Sequence, residues 1–264
     1  MNYWTQNEKN IFVAAHRGWR SRYPENTMEA FRAALELGVD QIETDIRITK
    51  DGELVLIHDD TVNRTTNGNG KVCEMTFAEL RALDAGSKQN PCFAGAKIPL
   101  LTELLELVKN HPSITLDLEL KEYPTENREN IAYEVCDRVL ALVDRYGFTD
   151  RVVMNSFSGK LNEYIYLKYG KKYRQHVFFP REALGECRID PYSYAYCACM
   201  FGSPYMAKKE AFDHMRACGV QPWAGAAVKD EKGVDNAIAN GAVLITCDNP
   251  DEILSLLRER GYHQ

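Results

Sequence analysis

The sequence lacks the features that mark several common classes of protein. Its eight cysteines among 264 residues are scattered, with no Cys-x-x-Cys pair and no zinc-ligand spacing. Lys and Arg (32) are outnumbered by Asp and Glu (38), and the net charge of −6 leaves no basic footprint of the kind nucleic-acid-binding proteins carry. No Gly-x-Gly-x-x-Gly follows an early apolar run, which argues against a dinucleotide-binding sheet. We therefore expect neither a zinc site nor a nucleic-acid partner.

Long apolar segments are also missing. No run approaches the roughly 20 apolar residues that a membrane-spanning helix needs. The first ten residues, MNYWTQNEKN, are polar and charged, so the sequence predicts neither a secretory signal nor a membrane anchor. Cysteines scattered through a chain without a signal are typical of reduced thiols, and we therefore expect a cytoplasmic protein.

The features that are present alternate short apolar runs with helical segments. Nearly all of the predicted strands are separated by a helix, which is typical of α/β folds. A length of 264 residues suits a single (β/α)₈ TIM barrel of about 250 residues. We therefore predict one domain over residues 1–264, ahead of a doubly wound open sheet. The predicted strands are 11–15, 41–48, 113–120, 151–155, 173–179, 192–197, 220–223 and 242–246.

Residues 60–98 do not follow this alternation of strands and helices. They begin with the turn-rich stretch TVNRTTNGNGKV, include one short helical segment and end in a loop. We interpret this region as a small insertion after the second strand.

The second strand carries the residues around which the rest of the predicted site is arranged. The period of two sends Glu43 and Asp45 to one face and the isoleucines of the strand to the other. Residues 50–52, Lys-Asp-Gly, are a strong turn signal, and the chain then returns to His58. Taken alone, this stretch also fits a surface hairpin whose acidic residues face water.

Polar residues at the ends of two other strands favour an enclosed site. His16 and Arg17 follow the first apolar run, and the third strand alternates leucines with Asp117, Glu119 and Lys121. In a barrel, the carboxyl ends of all strands converge on one mouth. We expect Asp117 to lie one step deeper than Glu119, as a buried hydrogen-bonding group.

The expected cluster predicts metal-assisted phosphoryl chemistry. Glu43, Asp45 and Glu119 would supply only oxygen ligands, which suit Mg²⁺ or Ca²⁺. His16 and His58 beside such an ion are suited to paired acid and base catalysis. The cations of Arg17 and Lys121 could contact phosphate or act as structural counter-ions to the carboxylates.

Six short motifs occur in an order that resembles the signature series of the glycerophosphodiester phosphodiesterase family. The resemblance continues weakly through Asn155-Ser156-Phe157-Ser158 and residues 246–250, so it spans nearly the whole chain. The ordered series is specific, although no single motif is. The motifs are His16-Arg17-Gly18, Pro24-Glu25-Asn26-Thr27, Ile42-Glu43-Thr44-Asp45, Thr49-Lys50-Asp51-Gly52, His58-Asp59 and Leu118-Glu119-Leu120-Lys121.

This resemblance implies an activity and a role for each residue. It implies a metal-dependent barrel that hydrolyses small glycerophosphodiesters to sn-glycerol 3-phosphate and an alcohol. A glycerol hydroxyl would attack phosphorus, and water would then open the cyclic phosphate. The implied roles are His16 and His58 as general acid and base, Glu43, Asp45 and Glu119 as metal ligands, and Arg17 and Lys121 as phosphate contacts.

The chain departs from the family pattern at the end of the seventh strand. Family members tend to carry Trp-Thr-Val-Asn there, whereas this chain has Trp223 followed by Ala-Gly-Ala-Ala. Trp223 is expected either to form a wall of the glycerol pocket or to pack in the core. The small residues after it suggest a different substrate preference.

Two other functions fit parts of the pattern. One is a phospholipase that acts on intact or lyso-lipids, which the lack of an anchor and of a basic bias disfavours. The other is a binding barrel without turnover, which would normally have lost a histidine or a carboxylate. All of these residues are present in this sequence.

Overall fold

Eight parallel strands form a closed barrel in the computed structural model, which describes residues 10–200 and 208–264. Each strand pairs with its neighbours in the ring, and the first strand closes the ring by pairing with both the second strand and the last. The predicted TIM barrel is therefore confirmed. The barrel strands are β1 (Phe12–His16), β2 (Gln41–Ile48), β4 (Thr115–Leu120), β5 (Val152–Asn155), β6 (Arg174–Phe179), β7 (Cys197–Met200), β8 (Gln221–Ala224) and β9 (Leu244–Cys247).

Helices cover the outside of the barrel. Several begin at a side-chain cap, as α1 does at Thr27, whose hydroxyl accepts a hydrogen bond from the Ala30 amide. α1 then ends at Gly38, whose φ of 85° is the left-handed conformation that glycine adopts without strain. The helices are α1 (Met28–Leu37), α2 (Phe77–Ala82), α3 (Leu101–Lys109), α4 (Glu129–Arg145), α5 (Gly159–Tyr169), α6 (Lys209–Ala217), α7 (Glu231–Asn240) and α8 (Pro250–Glu259).

A tight hairpin follows β2 and turns the chain back along it. Strand β3 (Leu54–Leu56) pairs antiparallel with β2, with Ile46 opposite Leu56 and Ile48 opposite Leu54. Gly52 in the turn has a φ of 87°, which explains the glycine at this point. The hairpin carries residue 58 back to the carboxyl end of β2.

The core lies in two layers, one on each side of the strands. Outward residues such as Ile42 and Ile46 pack against the helices in the large cluster between barrel and helical shell. Inside the barrel, a smaller apolar cluster fills the interior away from β2 and β4. Cys197 and Cys199 belong to it, as expected for cysteines that pack in a core and take no part in redox chemistry. The inner cluster comprises Ala14, Val153, Cys197, Cys199, Trp223 and Leu244.

Residues 60–98 lie between β3 and α3 and have an apolar cluster of their own. This segment contains α2 and two short 3₁₀ helices, Val72–Glu74 and Pro91–Phe93. Its apolar side chains pack onto Val55 and Ile57 of the hairpin. The segment is therefore anchored beside the end of β2. The packed residues from the segment are Val62, Val72, Leu80, Ala85 and Ile98.

One predicted strand is displaced in the structure. The alternating tyrosines at 192–197 suggest a strand, but Pro191–Ser193 is a 3₁₀ helix and the strand is Cys197–Met200. Asp190 caps this helix by accepting a hydrogen bond from the Tyr192 amide, and Pro191 occupies its first turn. Phe201, which follows this strand in the sequence and which we expect to pack with the tyrosines, lies outside the described residues.

The described part of the chain contains no helix that is long and apolar enough to span a bilayer. All eight cysteines lie within this part, and each is a free thiol.

Candidate active site

Three carboxylates meet at the carboxyl ends of neighbouring strands β2 and β4. Glu43 and Asp45 come from β2, and Glu119 comes from β4, where it lies in register with Asp45. Each side chain offers one oxygen, and these three oxygens all lie within 4.8 Å of one another. All three side chains are buried, Asp45 completely. The structure therefore brings together the three carboxylates that the sequence analysis assigned to a metal site.

The cluster is electrostatically unfavourable on its own. Burial, followed by the charges of Asp45 and Glu119, raises the pKa of Glu43 well above its usual range. Burial also raises the pKa of Glu119 to about 7, although the charge of Lys121 opposes this shift. Burial acts in the same direction on Asp45, but the charges of Lys121 and Arg17 outweigh it and lower the pKa of this carboxyl. The cluster therefore favours additional positive charge.

The oxygens of this cluster fit a hard divalent cation. Among the described residues, Glu43 Oε1 and Asp45 Oδ1 have no hydrogen-bond partner. The Lys121 ammonium lies 3.1 Å from Asp45 Oδ1, as an ion pair without hydrogen-bond geometry, and 2.5 Å from Glu119 Oε1. Buried carboxylate oxygens with free lone pairs are the ligands that Mg²⁺ and Ca²⁺ prefer. Glu43, Asp45 and Glu119 could therefore hold such an ion.

Two imidazoles flank the carboxylates, and each is held at Nδ1 by a carboxylate of its own. His16 Nδ1 lies 2.6 Å from Asp248 Oδ1, and His58 Nδ1 lies 2.7 Å from Asp59 Oδ1. His16 Nε2 lies 3.8 Å from Glu43 Oε2, and both histidines line the same cavity. A carboxylate at Nδ1 fixes the ring and leaves Nε2 for proton transfer.

Burial is the largest influence on both imidazoles. It lowers the pKa of His16, and the hydrogen bond to Asp248 opposes this shift without cancelling it. It lowers the pKa of His58 as well, with the charge of Asp45 acting in the opposite direction. Both rings therefore favour the neutral form more than a free histidine does, so either of them can accept a proton near neutral pH.

Arg17 is held in a strained backbone conformation beside the carboxylates. Its φ of 58° is unusual for a residue other than glycine. Its amide donates to the Glu43 carboxylate at 2.9 Å, Nη1 donates to Glu25 at 2.8 Å, and Nε lies 3.2 Å from Asp45 Oδ2. Arg17, like Lys121, is thus paired with carboxylates in this structure, as the counter-ion interpretation expects.

A cavity of about 410 Å³ opens above these groups. Its polar side includes both histidines, and the side across the barrel is formed by aromatic and small residues. Trp223 lines this second side, is fully buried and packs in the inner cluster, as the packing role considered for it expects. The apolar side includes Phe157, Phe178, Met200, Phe212 and residues 224–228.

Comparison with known proteins connects this geometry to one family. Residues 16–253 match the model of the glycerophosphoryl diester phosphodiesterase family. The glycerophosphodiester phosphodiesterase of Caldanaerobacter subterraneus subsp. tengcongensis is 34% identical over 259 residues, which cover 94% of this chain and 98% of that protein. The chain belongs to the glycerophosphoryl diester phosphodiesterase family.

Solved structures of this family share the fold. The glycerophosphodiester phosphodiesterase of Agrobacterium tumefaciens superposes with a TM-score of 0.75 at 26% identity, covering 92% of this chain and 98% of that one. A phosphodiesterase of Oleispira antarctica, solved with its product sn-glycerol-3-phosphate, gives a TM-score of 0.81 at 24% identity, covering 94% and 97%. The family model and the Caldanaerobacter relative confirm the predicted family, and the chain is an enzyme of the phosphodiesterase class.

The family motif at residues 24–27 contacts the carboxylate cluster through Asn26. Asn26, at a φ of 55°, donates from its amide to Asp45 Oδ2 at 2.8 Å and accepts from the Thr44 hydroxyl at 2.7 Å. The Asn26 amide thereby fixes the orientation of Asp45 and leaves its other oxygen for the cluster.

Arg64 connects the 60–98 segment to the site, which the sequence analysis did not foresee. It donates to Asp59 Oδ2 at 2.7 Å and to both oxygens of Glu25 at 2.8 Å. Burial alone would raise the pKa of Glu25, but Arg64 and Arg17 lower it to about 2. Arg64 thus holds the carboxylate partners of both His58 and Arg17. Only its place six residues after His58, in a polar loop, marks it in the sequence.

Proposed function

We propose that the chain hydrolyses glycerophosphodiesters to sn-glycerol 3-phosphate and an alcohol, with one divalent cation and two histidines. The observation that carries this proposal is the convergence of three buried carboxylates and two carboxylate-held imidazoles on one cavity. The similarity to a glycerophosphodiester phosphodiesterase over nearly its whole length supports the substrate class.

Glu43, Asp45 and Glu119 would hold the cation, which we propose to be Mg²⁺ or Ca²⁺. Their oxygens are close together, buried and partly without hydrogen bonds. When bound, such an ion offsets charge on the phosphate oxygens and lowers the pKa of an attacking hydroxyl or water. The residues around it supply the remaining chemistry.

His16 and His58 would transfer the protons. Asp248 or Asp59 holds Nδ1 of each ring and leaves Nε2 for proton transfer, and both rings line the cavity. One imidazole would take the proton of the attacking glycerol hydroxyl, and the other would protonate the oxygen of the departing alcohol. In the second step, in which water opens the cyclic phosphate, the two rings would exchange these roles.

Arg17, Lys121 and Trp223 would bind the substrate. Arg17 and Lys121 are fixed near the centre of the site by their carboxylate partners, and both line the cavity. Their positive charge suits the two non-bridging oxygens of a phosphodiester. Trp223 on the apolar side would pack against the carbon atoms of the glycerol group.

The free thiols favour a reducing compartment. All eight cysteines are unpaired, although disulfides are common in secreted proteins. We therefore propose that the enzyme acts in the cytoplasm on soluble diesters rather than on lipid vesicles.

The test is an assay with glycerophosphocholine and with an analogue that has hydrogen in place of the 2-hydroxyl. The proposal predicts release of sn-glycerol 3-phosphate from the first substrate and no cleavage of the second, because the second lacks the nucleophile. Phosphatidylcholine vesicles that contain lysophosphatidylcholine should be cleaved much more slowly under the same conditions. Equal cleavage of the 2-deoxy analogue would overturn the two-step route, and faster cleavage of the vesicles would favour a phospholipase.

A further inference from the structure

The barrel interior holds a second polar group that the proposed reaction does not use. Asp117 precedes Glu119 by two residues on β4 and is fully buried. Two strands further along the sheet, His176 of β6 is 3% exposed, and its Nδ1 lies 2.7 Å from Asp117 Oδ2. The amide nitrogen of Asn155, on β5 between them, lies 3.3 Å from the same ring nitrogen. The expectation that Asp117 is a buried hydrogen-bonding group is met by this pair.

Polar atoms of this group remain without partners. Among the residues that the structure describes, His176 Nε2, Asn155 Oδ1 and Asp117 Oδ1 make no hydrogen bond. The Cys199 thiol interacts with the His176 ring, but thiols are weak hydrogen-bonding groups. Buried polar atoms without partners are costly and uncommon. All three residues line the cavity that contains the catalytic histidines, so a molecule bound in that cavity lies beside them.

The surroundings of His176 indicate the chemistry of that molecule. The rings of Trp223 and Phe178 lie with their centroids 4.9 Å from the imidazole and form apolar walls. Asp117 and Glu119 nearby would repel an anion. A hydroxyl group on a short carbon chain fits, because its oxygen and hydrogen match an imidazole and an amide while the carbons contact the aromatic rings.

We propose that His176 and Asn155 form a subsite that binds the terminal hydroxyl of the substrate's glycerol group. This inference rests on the proposed function, because it assumes a glycerophosphodiester in the cavity. The glycerol group is favoured over the departing alcohol because Asp117 and His176 are buried in the barrel interior. The interior end of the cavity suits the small part that all such substrates share, whereas alcohols of different size need the open mouth. Asp117 positions His176 and does not itself contact the substrate.

The test compares kcat/KM for glycerophosphocholine and for the phosphocholine diester of propane-1,2-diol, which keeps the attacking hydroxyl and lacks the terminal one. The wild-type enzyme should prefer glycerophosphocholine by about 10²-fold, because the analogue leaves two buried polar groups unpaired. Equal kcat/KM for the two diesters would overturn the inference without any variant. If the wild type cleaves neither diester, the proposed function itself fails.

Two variants assign the preference to the imidazole. Asp117→Asn keeps His176 and a neutral hydrogen-bond acceptor, and it should retain most of the preference. The double variant Asp117→Asn/His176→Leu avoids an unpaired buried carboxylate, and its preference should fall to within about threefold of unity through a higher KM for glycerophosphocholine. A role in folding alone would lower both rates together and leave the ratio unchanged, which would contradict the inference.

A second pair of substrates distinguishes the glycerol group from the departing alcohol. Glycerophosphodiesters of ethane-1,2-diol and of ethanol differ only by a hydroxyl on the departing side. The proposal predicts that their kcat/KM ratio is the same in Asp117→Asn and in the double variant. A ratio that collapses in the double variant would place the departing alcohol at His176 and overturn the assignment to glycerol.

Discussion

The two sides of the barrel mouth bury different kinds of side chain. The acidic sector, formed by the ends of β1, β2 and β4, buries carboxylates beside one another and holds Arg17 and Asn26 at positive φ. The apolar sector, formed by β6, β7 and β8, consists of packed rings and thiols around Trp223. Strain and buried charge lower stability, whereas packed apolar side chains raise it. The two sectors therefore differ in their contributions: the proposed chemistry belongs to the acidic sector, and the packing that stabilises the barrel belongs to the apolar sector.

The largest expected effect comes from the imidazoles of the acidic sector. His16→Ala and His58→Ala should each lower kcat for glycerophosphocholine by about 10²–10⁴-fold, because one ring cannot replace the other within a step. Steady-state kinetics measures the loss. His111→Ala is the matched control, since His111 precedes β4 at the opposite end of the barrel, and it should keep the wild-type kcat. Retained turnover in either active-site variant would refute the paired mechanism.

The apolar sector should contribute more to stability than to rate. Trp223→Ala should lower the free energy of unfolding by about 3–5 kcal/mol, because a fully buried indole is lost from the barrel interior. Urea unfolding followed by circular dichroism gives the difference. Leu167, 72% exposed on α5, provides the control, and Leu167→Ala should change stability by under about 0.5 kcal/mol. A loss below about 1 kcal/mol for Trp223→Ala would remove the contrast between the sectors.

Substitution of the carboxylates that hold Nδ1 of the two imidazoles should have an intermediate effect on kcat/KM. Asp248→Asn and Asp59→Asn should each lower kcat/KM by about 10–100-fold, because the ring orientation is less well fixed. Asp248 raises the pKa of His16 against burial, so its removal should shift the limb of the pH–rate profile governed by His16 to lower pH. Asp235→Asn, in an exposed ion pair with Arg260, is the control. An unshifted profile would show that Asp248 does not act through His16.

The smallest expected effect is a change in the free energy of unfolding, and it measures how much the buried carboxylates destabilise the protein. In the absence of divalent cations, Glu43→Gln should raise the free energy of unfolding by about 0.5–2 kcal/mol. It replaces a carboxyl whose pKa is raised by burial and by the neighbouring carboxylates with a neutral amide, and it keeps an acceptor for the Arg17 amide. Glu53→Gln, exposed on the same hairpin, should have no effect. A destabilised Glu43→Gln protein would mean that the carboxylate supports the fold.

The sequence predicted the acidic sector because its signals are local. Glu43 and Asp45 share one strand, a Lys-Asp-Gly turn brings His58 back, and strand parity orients Glu119. Period and turn chemistry are enough to group such residues once a barrel is assumed.

The apolar sector and the supporting contacts could not be predicted in the same way. His176 lies within the strand sequence QHVFF, and nothing near it indicates that Asp117, 59 residues away, is its partner. Arg64 lies in an irregular loop whose path depends on tertiary packing. The tyrosines at 192–196 alternate as in a strand, but the cap at Asp190 and Pro191 favours a 3₁₀ turn instead.

Cation binding by the metal-depleted protein tests the central claim most directly. Calorimetric titration with Mg²⁺ and Ca²⁺, with turnover assayed on the same samples, should show one ion per chain and activity that rises with occupancy. Glu119→Gln should lose both the binding and the activity. Full hydrolysis of glycerophosphocholine in excess EDTA, with no ion bound, would contradict the assignment of Glu43, Asp45 and Glu119 as the metal site.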